Sequence, residues 1–140
     1  MEKLPAAYQP SEFNNNIPVY VLFGENIFRT IIFILPLFLK YDLAFDKVKI
    51  GLITYGIGSC LYYLSWVILI FLPSGNWSLS LIGFIAPAYT PIIWLIGISF
   101  IANKYYFNIL YSKWHLLVPS ILFSGFHISH AVIVYNRSYY

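Results

Sequence analysis

Apolar residues run through this chain in four long blocks, 17–39, 50–72, 79–102 and 114–135, separated by short polar breaks. Each block has the roughly 20 residues that a helix needs to cross a bilayer. None alternates with a period of two, as the strands of a membrane barrel do. In lipid the backbone groups must then bond within helices. The breaks are short: 40–49 is charged, 73–76 is a Pro-Ser-Gly-Asn turn, and 103–113 is aromatic. Short breaks make consecutive helices antiparallel neighbours. The pattern predicts an all-α, integral membrane, up-down four-helix bundle. It forms one domain over 17–136, with an N-terminal tail at 1–16 and a short C-terminal tail at 137–140.

Composition agrees with a bilayer as the first partner. Of 140 residues 60% are hydrophobic and 9% charged, with a mean hydropathy of +0.74. A soluble domain carries about 25% charged residues. The net charge of +3 is scattered, with no basic stripe, which excludes nucleic acid as a partner. A single cysteine, Cys60, excludes an internal disulfide and a zinc-finger pattern. The 21% aromatic content fits either AT-rich coding or a pocket for a flat or lipidic ligand. Ahead of the first block, residues 1–16 are polar. That block is too long for a signal h-region and lacks a small-residue cleavage site. The tail is expected to be short and partly ordered on the surface.

Lysine placement predicts the orientation. Lys40, Lys47, Lys49, Lys104 and Lys113 lie in the first and third linkers, against Lys3 and Arg137 in the tails. The positive-inside bias puts those two linkers in the cytoplasm and both termini outside. Trp77, Tyr139 and Tyr140 then suit the outer interface, and Tyr41, Tyr105, Tyr106 and Trp114 the inner one.

Against this apolar background the stretch Gly-Glu-Asn-Ile-Phe-Arg at 24–29 stands out. Each charge at a membrane centre costs about 2.5–3.5 kcal/mol on insertion scales. Glu25 and Arg29 are four apart and meet on one helix face. A rise of about 1.5 Å per residue places Glu25 roughly 12 Å and Arg29 roughly 18 Å below the outer surface. The same count brings His130, His127, Tyr62, Pro87, Thr90 and Pro91 to within about 9–18 Å of that surface. Polar groups from all four helices therefore share one layer. The expected ligand or proton pathway comprises Glu25, Asn26, Arg29, Tyr62, Thr90, His127 and His130. Pro87 and Pro91 remove backbone donors, and are expected to open the third helix and aim free carbonyls into that layer. Plainer alternatives are a structural Glu25–Arg29 pair and a simple proline kink. Gly51, Gly58, Gly83, Gly97, Ser120 and Ser124 read as packing residues of the kind that glue membrane helices.

Several chemistries fit this set. His127 and His130 share a face, and with Glu25 they offer three ligands to a divalent metal, although no His-Glu-x-x-His signature is present. A carboxylate and two imidazoles at one depth can relay protons or bind a solute coupled to them. Four helices make a thin wall for a pathway, so a homodimer or a larger membrane complex is implied. A second reading is a non-catalytic small subunit of such a complex. A third is a membrane enzyme acting on a lipid, with Arg29 holding a phosphate and His127 or Glu25 as acid or base. With no catalytic motif, the balance leans away from an enzyme. The leading expectation is a membrane protein that binds, and transports, a small polar or amphipathic solute or protons.

Overall fold

A computed structural model describes residues 5–41 and 48–139. Lys3, Lys47 and Tyr140 of the orientation argument lie outside the described residues. The chain opens with a 3-10 turn, Ala6–Tyr8, and a single helical turn, α1 (Pro10–Phe13). Helix α2 (Val19–Ile34) tightens into a 3-10 turn at Leu35–Phe38, where Pro36 interrupts the backbone donors. A short strand, β1 (Leu39–Tyr41), follows. Helix α3 (Val48–Phe71) is continuous, and so is α8 (Trp114–Tyr139) despite Pro119. Among the described residues three stretches are long and apolar enough to cross a membrane: Val19–Phe38, Val48–Phe71 and Trp114–Tyr139.

The third block is not one helix but four pieces. They are α4 (Asn76–Leu79), α5 (Leu81–Phe84), α6 (Ala86–Tyr89) and α7 (Pro91–Ile101). The first break is at Ser80, whose backbone is extended (φ −77°, ψ 149°). Its Oγ donates to the Trp77 carbonyl at 2.7 Å and accepts from the Gly83 amide at 3.1 Å, so Ser80 caps α5. Pro87 and Pro91 then each sit in the first turn of a new piece, where a missing amide is tolerated. The apolar stretch Ala86–Ile101 falls short of the length of the other three.

Chain direction alternates. The start of α3 lies beside the end of α7, and the end of α8 beside α4 and the N-terminal tail. Consecutive passages pack on one another with one exception. Helix α2 packs on α8, α3 packs on α7, and α7 meets α8, whereas α2 and α3 are not a packed pair. The expectation that sequence neighbours are packing neighbours therefore fails only for α2 and α3, which leave a gap between them. The α3–α7 contact is close. A Cβ at Gly58 would lie 2.4 Å from the Trp94 amide nitrogen, and one at Gly97 would lie 2.5 Å from that of Tyr55. The two backbones touch where only hydrogen fits, which holds α3 against α7.

At the end opposite the tail, β1 pairs antiparallel with β2 (Ala102–Tyr105), with Leu39 opposite Tyr105 and Lys40 opposite Lys104. This departs from an all-helical expectation. Each strand follows directly on a helix, so the pair ties the ends of α2 and α7 together. Tyr111 donates to the Ser99 carbonyl at 2.8 Å. Burial, and the hydroxyls of Tyr105 and Tyr41, push its pKa up to about 12. Elsewhere the outward faces are apolar, with Phe23, Phe33, Ile50, Ile57 and Ile121 exposed. Only 17% of the α3 window is buried within the chain, so most of that apolar helix is left for another medium or partner to cover.

Candidate functional site

The site begins where α2 and α8 approach most closely. Gly24 lies under the Phe126 ring, which a Cβ there would meet at 2.5 Å. One residue on, Glu25 is 2% exposed. Its Oε1 accepts from the Arg29 guanidinium one turn away and lies 3.0 Å from His127 Nδ1. Its Oε2 lies 2.6 Å from His130 Nδ1. The two imidazoles are three residues apart on α8 and therefore grip the two carboxylate oxygens side by side. Such saturation matters, because breaking a buried ion pair by removing one partner costs about 3–5 kcal/mol.

His130 is equally buried, and its second nitrogen is also engaged. Nε2 lies 2.9 Å from the carbonyl of Phe13. A carbonyl can only accept, so Nε2 carries a hydrogen. One further proton remains between Nδ1 and Oε2, on the imidazole or on the carboxyl. Around this core, Phe13 packs on the His130 ring at 4.2 Å and Phe123 stacks on His127 at 5.2 Å. The Arg29 guanidinium lies 6.0 Å from the Phe123 centroid, at the outer range of a cation–π contact.

Phe13 belongs to the N-terminal tail, and the tail proves to be a cover rather than a loose end. Tyr8 donates to the Phe84 carbonyl, and burial raises its pKa, helped by the nearby Tyr139. Its ring stacks on Phe84 at 4.6 Å and Phe13 at 5.3 Å, with its edge toward Trp66 at 5.1 Å. From α8, Arg137 donates to the carbonyls of Glu12 and Asn15.

Several backbone groups around the breaks of the third passage are bonded to nearby residues or to tyrosines. The Gly83 amide turns to Ser80, and Leu79 accepts from the Tyr135 hydroxyl at 2.9 Å. The Ala88 amide turns to Ile85, and Phe84 accepts from Tyr8. Thr90 donates its hydroxyl to Ala86 at 2.8 Å. Tyrosines outside the expected pocket thus satisfy the backbone at these breaks.

Two cavities flank the cluster. The larger, about 560 Å³, lies in the gap between α2 and α3 and is backed by Pro87, Pro91 and Trp94. Arg29, Tyr62 and His127 line it. The smaller, about 250 Å³, lies under the tail and shares Trp66, Pro87 and His127 with the first. Of the expected site residues, Glu25, Arg29, His127 and His130 come together, and Tyr62, Pro87 and Pro91 join them as cavity wall. Two do not. Thr90 is buried with its hydroxyl on its own helix, outside both cavity linings. Asn26 is exposed on the outward face of α2, with its Oδ1 3.5 Å from Arg29. For the metal expectation, the polar ends of Glu25, His127 and His130 are bonded to one another. Among the described residues no group of three His, Cys, Asp or Glu side chains is arranged to hold a metal. Residues not anticipated are Tyr8, Phe13, Trp66, Phe123 and Arg137; the one available hint was a pair of aromatics in an otherwise polar tail.

No protein family, curated protein or solved structure matches this chain. The chemistry of the site is therefore read from its own atoms.

Proposed function

We propose that the chain crosses the bilayer four times, binds a small polar or amphipathic solute in the larger cavity, and carries that solute or protons across. In this reading α2, α3, the α4–α7 passage and α8 are the four spans of an integral membrane bundle. The tail faces outside and the paired strands face the cytoplasm, where Lys40, Lys104 and Lys113 gather. The carrying observation is the Glu25 carboxylate, joined at once to a guanidinium that lines the cavity and to both imidazoles of α8. Ionisable groups at such depth are by default functional. His127 borders both cavities, so a chain of hydrogen bonds runs from the Phe13 carbonyl through His130 and Glu25 to the cavity wall.

Proteoliposomes test this reading. Proton flux under an imposed potential, with wild-type protein and Glu25→Gln, is expected to fall at least tenfold in the variant, the size of a lost charged hydrogen bond or more. Equal flux in the two overturns it.

A second reading concerns assembly. Asn26, Thr30, Phe23 and Ile27 line a shallow outward groove on α2, with the Asn26 amide exposed. An amide on a lipid-facing surface favours a partner helix that bonds to it. A homodimer meets that need, as does a larger membrane complex in which this chain is a subunit. Copurification with larger subunits in fixed ratio would favour the latter.

A further inference from the structure

We infer that the ligand of the larger cavity is an amphipathic anion, with a singly charged acidic head on Arg29 and an apolar body among the aromatic rings. This rests on the binding reading above and names the class of ligand. The first step is a charge count. Glu25 and His130 hold one proton between them, because the Phe13 carbonyl obliges His130 Nε2 to donate. Whichever atom carries that proton, the two residues together are neutral. His127, whose Nδ1 lies 3.0 Å from Glu25 Oε1, adds no negative charge. Arg29 therefore leaves the group of four with at least one positive charge in excess. A group that carries a positive charge in excess in an apolar layer calls for an anion.

The second step is position. The Arg29 side chain is 43% exposed and lies on the cavity wall, whereas Glu25 and His130 are sealed from it. No carboxylate lines the cavity among the described residues; the polar atoms there come from Arg29, His127, Ser59 and the tyrosines. A guanidinium presents its donors as a planar fork suited to a carboxylate or phosphate head.

The third step is shape. The rest of the wall is Phe33, Trp66, Trp94, Phe123 and prolines, an apolar lining for a hydrocarbon or ring body. At about 560 Å³ the cavity falls in the usual range of ligand sites, roughly 300–1,000 Å³. It lies in the gap between α2 and α3, and in the four-span reading a membrane-dissolved molecule enters from that side.

Trp66 and Trp94 make the test intrinsic. Purified protein in nanodiscs is titrated with 9,10-dibromostearate, whose bromines quench tryptophan on contact, and in parallel with its methyl ester. Both are used at a pH where the acid is ionised. The acid is expected to reach half-quenching at a concentration about tenfold lower than the ester, the ratio a charge-assisted hydrogen bond confers. Arg29→Gln is expected to raise the acid to the ester's value, and Arg29→Lys to leave part of the preference. Trp66→Phe with Trp94→Phe should abolish the saturable quench. Equal half-points for acid and ester in the wild type overturn the inference while leaving a binding cavity for a neutral amphiphile. Absence of saturable quenching by either compound overturns both the inference and the binding reading. The wild-type comparison needs no variant to fold.

Discussion

A hydrogen atom is the largest side chain that positions 58 and 97 accept. Gly58→Ala or Gly97→Ala pushes a methyl into the facing backbone, and overpacking of this kind costs about 1–3 kcal/mol. Both variants are expected to lower the thermal midpoint in detergent. Gly56, one helical face away with nothing within 4 Å, is the control: Gly56→Ala should leave the midpoint unchanged or raise it slightly. If all three behave alike, the α3–α7 contact does not limit stability. Much at this scale was legible, because helical spacing is local. Glu25 above Arg29 and His127 above His130 follow from steps of four and three. Asn26 lies outside the cluster by the same rule. Its position is about 100° around the helix from Glu25, so the two side chains cannot share a face. Depth alone does not say that a threonine hydroxyl will bond to the carbonyl four residues back, as that of Thr90 does.

Among the elements, the tail and the interrupted third passage depend on each other. Tyr8→Phe removes the donor to the Phe84 carbonyl and leaves that acceptor buried, a loss of about 1–3 kcal/mol. Amide exchange across residues 6–16 should quicken in that variant, while Tyr20→Phe, at an exposed position, should change nothing. Unaltered exchange in Tyr8→Phe would mean that other contacts hold the tail. Neither feature could be read from the sequence by hydropathy. An averaging window passes over one extended serine and two prolines in an apolar run. The tie between Tyr8 and Phe84 spans 76 positions, and no local pattern encodes it. The strand pair escaped notice for a related reason: three or four residues joining helix ends carry no period of their own.

For the whole molecule, the lengths of the blocks foretold the three long helices, and the short linkers foretold the α3–α7 and α7–α8 contacts but not the gap between α2 and α3. A short linker permits adjacency; the glycine faces of α3 and α7 and the charged face shared by α2 and α8 decide it. Whether α4–α7 completes a crossing sets the sidedness of everything after it. In a Cys60→Ser background, Ser74→Cys and Phe107→Cys are expected to react with an impermeant maleimide from opposite sides of the membrane. Labelling of both from one side would reduce the spans to three and place the two ends of the chain on different faces. The stitching of Phe13 to His130, and of Arg137 to Glu12 and Asn15, has a practical consequence as well. A small fluorophore attached at Asn14, next to the stitched Phe13 and on the wall of the smaller cavity, would sit close to the buried acid–base group. Such a label would report its occupancy, and a bulky one would alter what it reports.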